Sequence, residues 1–136
     1  MKLFVDTSAI IAYYNAEDRH HAEAARQMES IRSGGMSPLR LYITDYVFDE
    51  AVTFIECVLH RHDLAVAVGE ALLSSPFTTM IRIDGRLFDE AWRGFVDGSG
   101  LSLTDCASFA AMRGSGIEDA FAFDAHFRDA GFRMLP

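Results

Sequence analysis

Leu3-Phe4-Val5-Asp6-Thr7-Ser8-Ala9-Ile10-Ile11-Ala12-Tyr13-Tyr14 is the stretch on which the fold turns. Three consecutive apolar residues halted by an acid read as a short strand buried on both faces. Thr7 and Ser8 offer hydroxyls for capping, and the run from Ala9 to Tyr14 continues as helix. The chain therefore opens strand, turn, helix, with Asp6 at the carboxyl end of the strand.

The same alternation runs on from there. Asp18 suits the N-cap of a second helix reaching about residue 32, with Ala22, Ala25, Met28 and Ile31 on one side. Ser33-Gly34-Gly35-Met36-Ser37-Pro38 ends it, because its glycines and proline disfavour helix. A strand over 41–43 follows, then Thr44 as cap, a helix over 45–60, a break at His60-Arg61-His62 and a helix over 63–73. A strand over 79–83 leads to a helix over 86–96 and the loop Gly98-Ser99-Gly100. A helix over 105–113 is closed by Gly114-Ser115-Gly116, and a fourth strand over 120–123 precedes a tail expected to add one turn and an edge strand. Short apolar strands alternating with helices predict an α/β fold: a central, mostly parallel sheet of four to five strands with helices on both faces. Residues 1–136 are expected to form a single domain.

Half of the 136 residues are apolar, enough for a core. The net charge of −8, from 20 acids against 12 bases, repels nucleic acid at long range and argues against a simple electrostatic DNA-binding module. A nuclease stays open, since a cation neutralises acids inside a site. Cys57 and Cys106, with no CxxC, read as free thiols in a reducing cytoplasm. The run Met1 to Val5 meets Asp6 too soon for a signal peptide, and no window approaches the roughly 18 apolar residues of a membrane span. A cytoplasmic protein without a membrane segment is expected.

Sites in such sheets form beyond the carboxyl ends of the strands, where Asp6 and Asp124 both project. Each also suits a turn or cap. On the helix from Asp45, the residues Asp45, Asp49, Thr53 and Glu56 form one polar stripe, and Asp49 is assigned to solvent. Glu50 instead falls between Val47 and Phe54, where an interior carboxylate must be paired, protonated or metal-bound. A partner arginine would satisfy it equally well. Asp105, read at the first helical position after Thr104, already has a structural role at the helix dipole. Jointly the four acids can reach one point, and an oxygen-only site there suits Mg²⁺ or Mn²⁺.

Other chemistries find less support. His20-His21 and His60-Arg61-His62 lack zinc-site spacing and read as solvated, while His126, nearer the cleft, suits a cap or a pair. Phe48, Phe54, Phe88, Trp92, Phe95 and Phe109 read as core. Ser8 lacks the GxSxG context of an activated nucleophile. A haloacid-dehalogenase phosphatase would need DxD where Asp6-Thr7-Ser8 stands, and a receiver domain would need a lysine beyond Lys2. A non-catalytic α/β partner-binding module whose acids only cap and pair is the rival from another class.

The chain resembles the PIN-domain family, and within it the small VapC-type ribonuclease toxins. The likeness rests on Val5-Asp6-Thr7-Ser8-Ala9, on Asp18 to His21, on Thr44-Asp45-Tyr46-Val47 followed by Glu50, on Ser102-Leu103-Thr104-Asp105-Cys106, and on Ala122-Phe123-Asp124-Ala125-His126-Phe127 with Gly131-Phe132. The resemblance implies a three-layer PIN-like fold in which Asp6, Glu50, Asp105 and Asp124 hold Mg²⁺ or Mn²⁺, with Thr7 or Ser8 assisting around Asp6. It implies cleavage of RNA with water as nucleophile, a small cognate antitoxin, a homodimer and toxin status in a type II toxin–antitoxin pair. A solitary RNA-processing PIN nuclease is the alternative. Residues 63–97 carry little of the family's signature.

Overall fold

The computed structural model describes residues 1–34 and 39–136. The expected helix stop at 33–38 therefore lies partly outside the described residues. Among these residues five strands form one sheet in the order β3-β2-β1-β4-β5, where β1 is Lys2–Val5, β2 Arg40–Thr44, β3 Thr78–Ile81, β4 Asp119–Phe121 and β5 Arg133–Leu135. Every neighbouring pair is parallel, as an α/β fold with intervening helices requires. Leu3, Phe4 and Val5 are all buried although successive strand residues point to opposite faces, so helices cover β1 on both sides.

The chain steps from β1 out to β2 and β3, then returns to add β4 and β5 on the other side of β1. The direction reverses between β1 and β4, which opens a crevice at their carboxyl ends. Asp6 follows β1 directly, and Asp124 lies three residues beyond β4.

Among the described residues seven helices link the strands: α1 Thr7–Tyr14, α2 His21–Arg32, α3 Asp45–Cys57, α4 His62–Ser74, α5 Gly85–Asp97, α6 Leu103–Gly114 and α7 His126–Asp129. Thr44 caps α3 as expected, its hydroxyl accepting from the Val47 amide. The break before α4 is real, and His60 takes a left-handed backbone there with φ of 56°. Asp18 does not cap α2. It makes a turn instead, its side chain accepting from His20 N–H and its carbonyl from His21 N–H.

The reading of Phe88, Trp92 and Phe95 as core is corrected. Ala91 is the buried residue of α5, packed with Cys106 and Ala107 of α6, and Gly94 also lies beside Cys106. Small residues allow the two helices to approach closely, which turns Phe88, Trp92 and Phe95 outward. Trp92, half exposed, stacks on Phe95 with ring centroids 5.4 Å apart. Phe109 does belong to the core. It meets Phe127 edge to face at 5.0 Å, and Phe127 in turn lies 6.2 Å from Phe4. Complete burial of a phenylalanine contributes about 1.5–3 kcal/mol, so Phe127 anchors the short helix α7 against the sheet.

Candidate metal centre

Asp6 is the N-cap of α1. Its Oδ2 accepts from Ser8 N–H at 3.1 Å and from the Ser8 hydroxyl at 2.6 Å. The Ser8 oxygen also accepts the Phe123 N–H at 3.0 Å, tying the end of β1 to the segment after β4. Burial raises the Asp6 pKa to about 6; the Ser8 hydrogen bonds oppose that rise, and the nearby charges of Asp105 and Glu50 reinforce it. Asp105 and Glu50 are thus each close enough to act on Asp6. Thr7 Oγ1, beside Asp6 in sequence, is buried without a hydrogen-bond partner.

Asp105 does not open its helix. Ser102 is the N-cap of α6 and Asp105 is its third residue, closing a capping box in which each side chain accepts the other's backbone N–H. Leu103 and Thr104 are therefore the first helical residues, and the serine two positions before Thr104 marks the true start. The box fixes the carboxylate at the edge of the crevice.

Asp124 Oδ1 accepts from the His126 N–H at 2.9 Å, a tight local turn. That turn brings His126 Nδ1 to 3.0 Å from Asp124 Oδ1 and 3.4 Å from Asp105 Oδ2. Neither approach is aligned as a hydrogen bond, and Nδ1 is buried. One ligand atom from each of Asp105, Asp124 and His126 lies within 4.8 Å of the other two.

Glu50, on α3, is half-buried between buried Val47 and half-buried Phe54. Among the described residues no lysine or arginine forms an ion pair with Asp6, Glu50, Asp105 or Asp124; His126 is the one ion-pair partner found for any of them. The alternative of a partner arginine for Glu50 thus finds no support. Asp105 and Asp124, with no lysine or arginine paired to them and an imidazole nitrogen lacking a hydrogen bond beside them, are a donor set that suits a divalent ion; Asp6 and Glu50 are not part of that close group.

Asp45 corrects the reading of the α3 stripe. Its Oδ1 accepts from the Ile83 N–H at 3.0 Å, so it joins α3 to the segment after β3 rather than facing water. Asp49 is exposed, as expected, and accepts only from Thr53.

A model of the PIN domain matches residues 3–133. The chain belongs to the PIN domain family. Among its PIN-family relatives is the 23S rRNA-specific endonuclease VapC20 of Mycobacterium tuberculosis, recorded from two strains. Each copy is 36% identical over 138 aligned residues, covering 96% of this chain and 95% of VapC20. The crystal structure of M. tuberculosis VapC20, described as a toxin that cleaves the sarcin–ricin loop, superposes with a TM-score of 0.85 at 32% identity. That superposition covers 96% of this chain and 95% of VapC20, so the likeness takes in nearly the whole of both chains.

Two histidines matter more in this PIN domain than their sequence context suggested. His20, read as solvated, is half-buried and stacks on Phe123, with centroids 4.5 Å apart and planes 9° from parallel. His126 was read as a cap or a pair, and the signal for more was present: it lies two residues after Asp124 and directly before a phenylalanine that the core absorbs.

Proposed function

We propose that this chain is an Mg²⁺- or Mn²⁺-dependent endoribonuclease and the toxin of a type II toxin–antitoxin pair. The observation that carries the reading is the match to VapC20 over nearly the full length of both chains; Asp6 after β1 and Asp124 after β4, on either side of the sheet's switch point, support it. Asp6, Glu50, Asp105 and Asp124 would hold the cation. Bound there, a divalent ion supplies Lewis-acid polarisation of the scissile phosphate and activation of the attacking water.

The residues of this chain prepare that chemistry. Ser8 steers the Asp6 carboxylate and holds the two strand ends together. The capping box presents Asp105 in one orientation. The Asp124 turn, closed by the His126 N–H, sets that carboxylate and the imidazole beside Asp105. With a net charge of −8, RNA binding depends on local arginines, of which Arg128 on α7 is exposed and follows the site in sequence.

The sarcin–ricin loop of 23S rRNA is the substrate we infer, because VapC20 is described as cleaving it. A protein partner has apolar surface available in Phe88, Trp92, Phe95 and Val96 of α5, which are exposed on the isolated chain. A small cognate antitoxin and a second copy of the chain are the partners we infer. No helix among the described residues is long and apolar enough to cross a membrane, and we place the protein in the cytoplasm.

Incubating purified protein with intact ribosomes and mapping new 5′ ends by primer extension tests the substrate. A single cut within the sarcin–ricin loop supports it. Cuts at other RNAs with that loop intact would leave a PIN nuclease of different target.

A further inference from the structure

We propose that His126 is a nitrogen ligand of the cation held by Asp105 and Asp124, so that the centre is mixed nitrogen–oxygen and prefers Mn²⁺ to Mg²⁺. This rests on the metal-dependent reading above and goes beyond its four acids.

Distances come first. Metal–ligand bonds of about 2.1 Å place neighbouring ligand atoms of one ion roughly 3 Å apart. His126 Nδ1 lies 3.0 Å from Asp124 Oδ1 and 3.4 Å from Asp105 Oδ2, the spacing of atoms that share an ion. All three side chains offer an atom within the same 4.8 Å group.

The second observation is the state of the nitrogen. Nδ1 is buried and makes no hydrogen bond, although two carboxylate oxygens lie beside it. An N–H aimed at either oxygen would satisfy it at little cost, but the ring does not point that way. A buried nitrogen left without a hydrogen bond costs about 1–3 kcal/mol, a penalty that coordination removes. The ring's root is held in place: the His126 N–H donates to Asp124, and the next residue, Phe127, is locked between Phe4 and Phe109.

Chemistry then decides the ion. Mg²⁺ favours all-oxygen octahedra and retains its waters, whereas imidazole is a better ligand for first-row transition ions. Replacing one oxygen by Nδ1 therefore moves the preference toward Mn²⁺, and the oxygen-only site expected from the sequence becomes a mixed one.

Electron spin-echo modulation on the untagged, full-length chain loaded with one equivalent of Mn²⁺ tests this without reference to activity. The wild-type spectrum should show the ¹⁴N coupling of a coordinated imidazole, and His126→Asn should lose it. Mn²⁺ affinity measured by calorimetry should fall at least about tenfold in that variant, with Mg²⁺ affinity changed less. Bound Mn²⁺ without nitrogen coupling in the wild type, or coupling that survives in His126→Asn, overturns the nitrogen ligand and leaves the four-acid centre standing. No Mn²⁺ binding at millimolar concentration overturns both.

Discussion

Ser8 donates its hydroxyl proton to Asp6 Oδ2 across 2.6 Å. Because the Ser8 hydroxyl oxygen also accepts from the Phe123 N–H, one side chain orients the first acid and closes the seam beside the fourth. This hydrogen bond is also the foremost influence holding down the Asp6 pKa against burial. Ser8→Ala should therefore move the acid limb of the pH–rate profile to higher pH and cost about 1–2 kcal/mol of stability. Thermal melts and cleavage rates over a pH series measure both, and an unmoved acid limb would show that Asp6 does not depend on Ser8.

Asp105→Asn separates the structural role of that residue from the chemical one. Asparagine keeps a carbonyl oxygen for the Ser102 N–H, so the capping box survives and stability should change by less than about 1 kcal/mol. Cleavage should fall at least about 100-fold, the scale on which removal of a charge-stabilising group from an active site is felt. Ser102→Ala should show the opposite pattern, costing about 1 kcal/mol with cleavage kept within a few-fold. Equal loss of activity in both variants would mean that Asp105 acts only through the helix.

Two acids on α3 offer a second contrast. Asp45→Ala strands the Ile83 N–H and should destabilise the fold by about 1–3 kcal/mol while metal binding persists. Glu50→Gln should leave the melting temperature of the metal-free protein unchanged or higher, since it removes a charge that raises the Asp6 pKa, and should weaken metal binding. Calorimetric titration with Mn²⁺ on both variants distinguishes them, and full Mn²⁺ affinity in Glu50→Gln would remove that residue from the site.

Much of this was legible because local chemistry and tertiary placement agree. The run Leu3 to Val5 ending at Asp6 specified a buried strand, and helical phase put Glu50 inward and Asp49 outward. Asp45 escaped that phase argument because its partner, Ile83, is 38 residues away and invisible to periodicity. Phe88, Trp92 and Phe95 misled for a related reason: hydrophobicity marks a residue for burial only where a neighbour is present, and α6 took up Ala91 and Gly94 instead. The spacing of His126 from Asp124 is local, whereas the position of its ring depends on Phe127, which packs against Phe109 far away in sequence.

The raised pKa of Asp6 gives the metal-free protein a distinctive pH dependence. Between 3.8 and about 6 the folded chain keeps a proton on Asp6 that the unfolded chain has released, so stability from this group is greatest at low pH and falls as pH rises. At about 1.4 kcal/mol per pH unit the loss is on the order of 3 kcal/mol. Asp6→Asn should lack it, and saturating Mn²⁺ should abolish it by favouring the charged carboxylate. Denaturation curves from pH 4 to 7 on both proteins measure the difference, and parallel curves would show that Asp6 titrates normally.

The most direct measurement is the rate at which metal-stripped protein cleaves an RNA carrying the sarcin–ricin loop as Mg²⁺ or Mn²⁺ is added back, with Asp105→Asn alongside. A cut that appears only with added cation, saturates with it and is absent in the folded variant is the result predicted. Cleavage by stripped protein in excess EDTA, or undiminished cleavage by Asp105→Asn, would contradict a metal-dependent centre built on these acids.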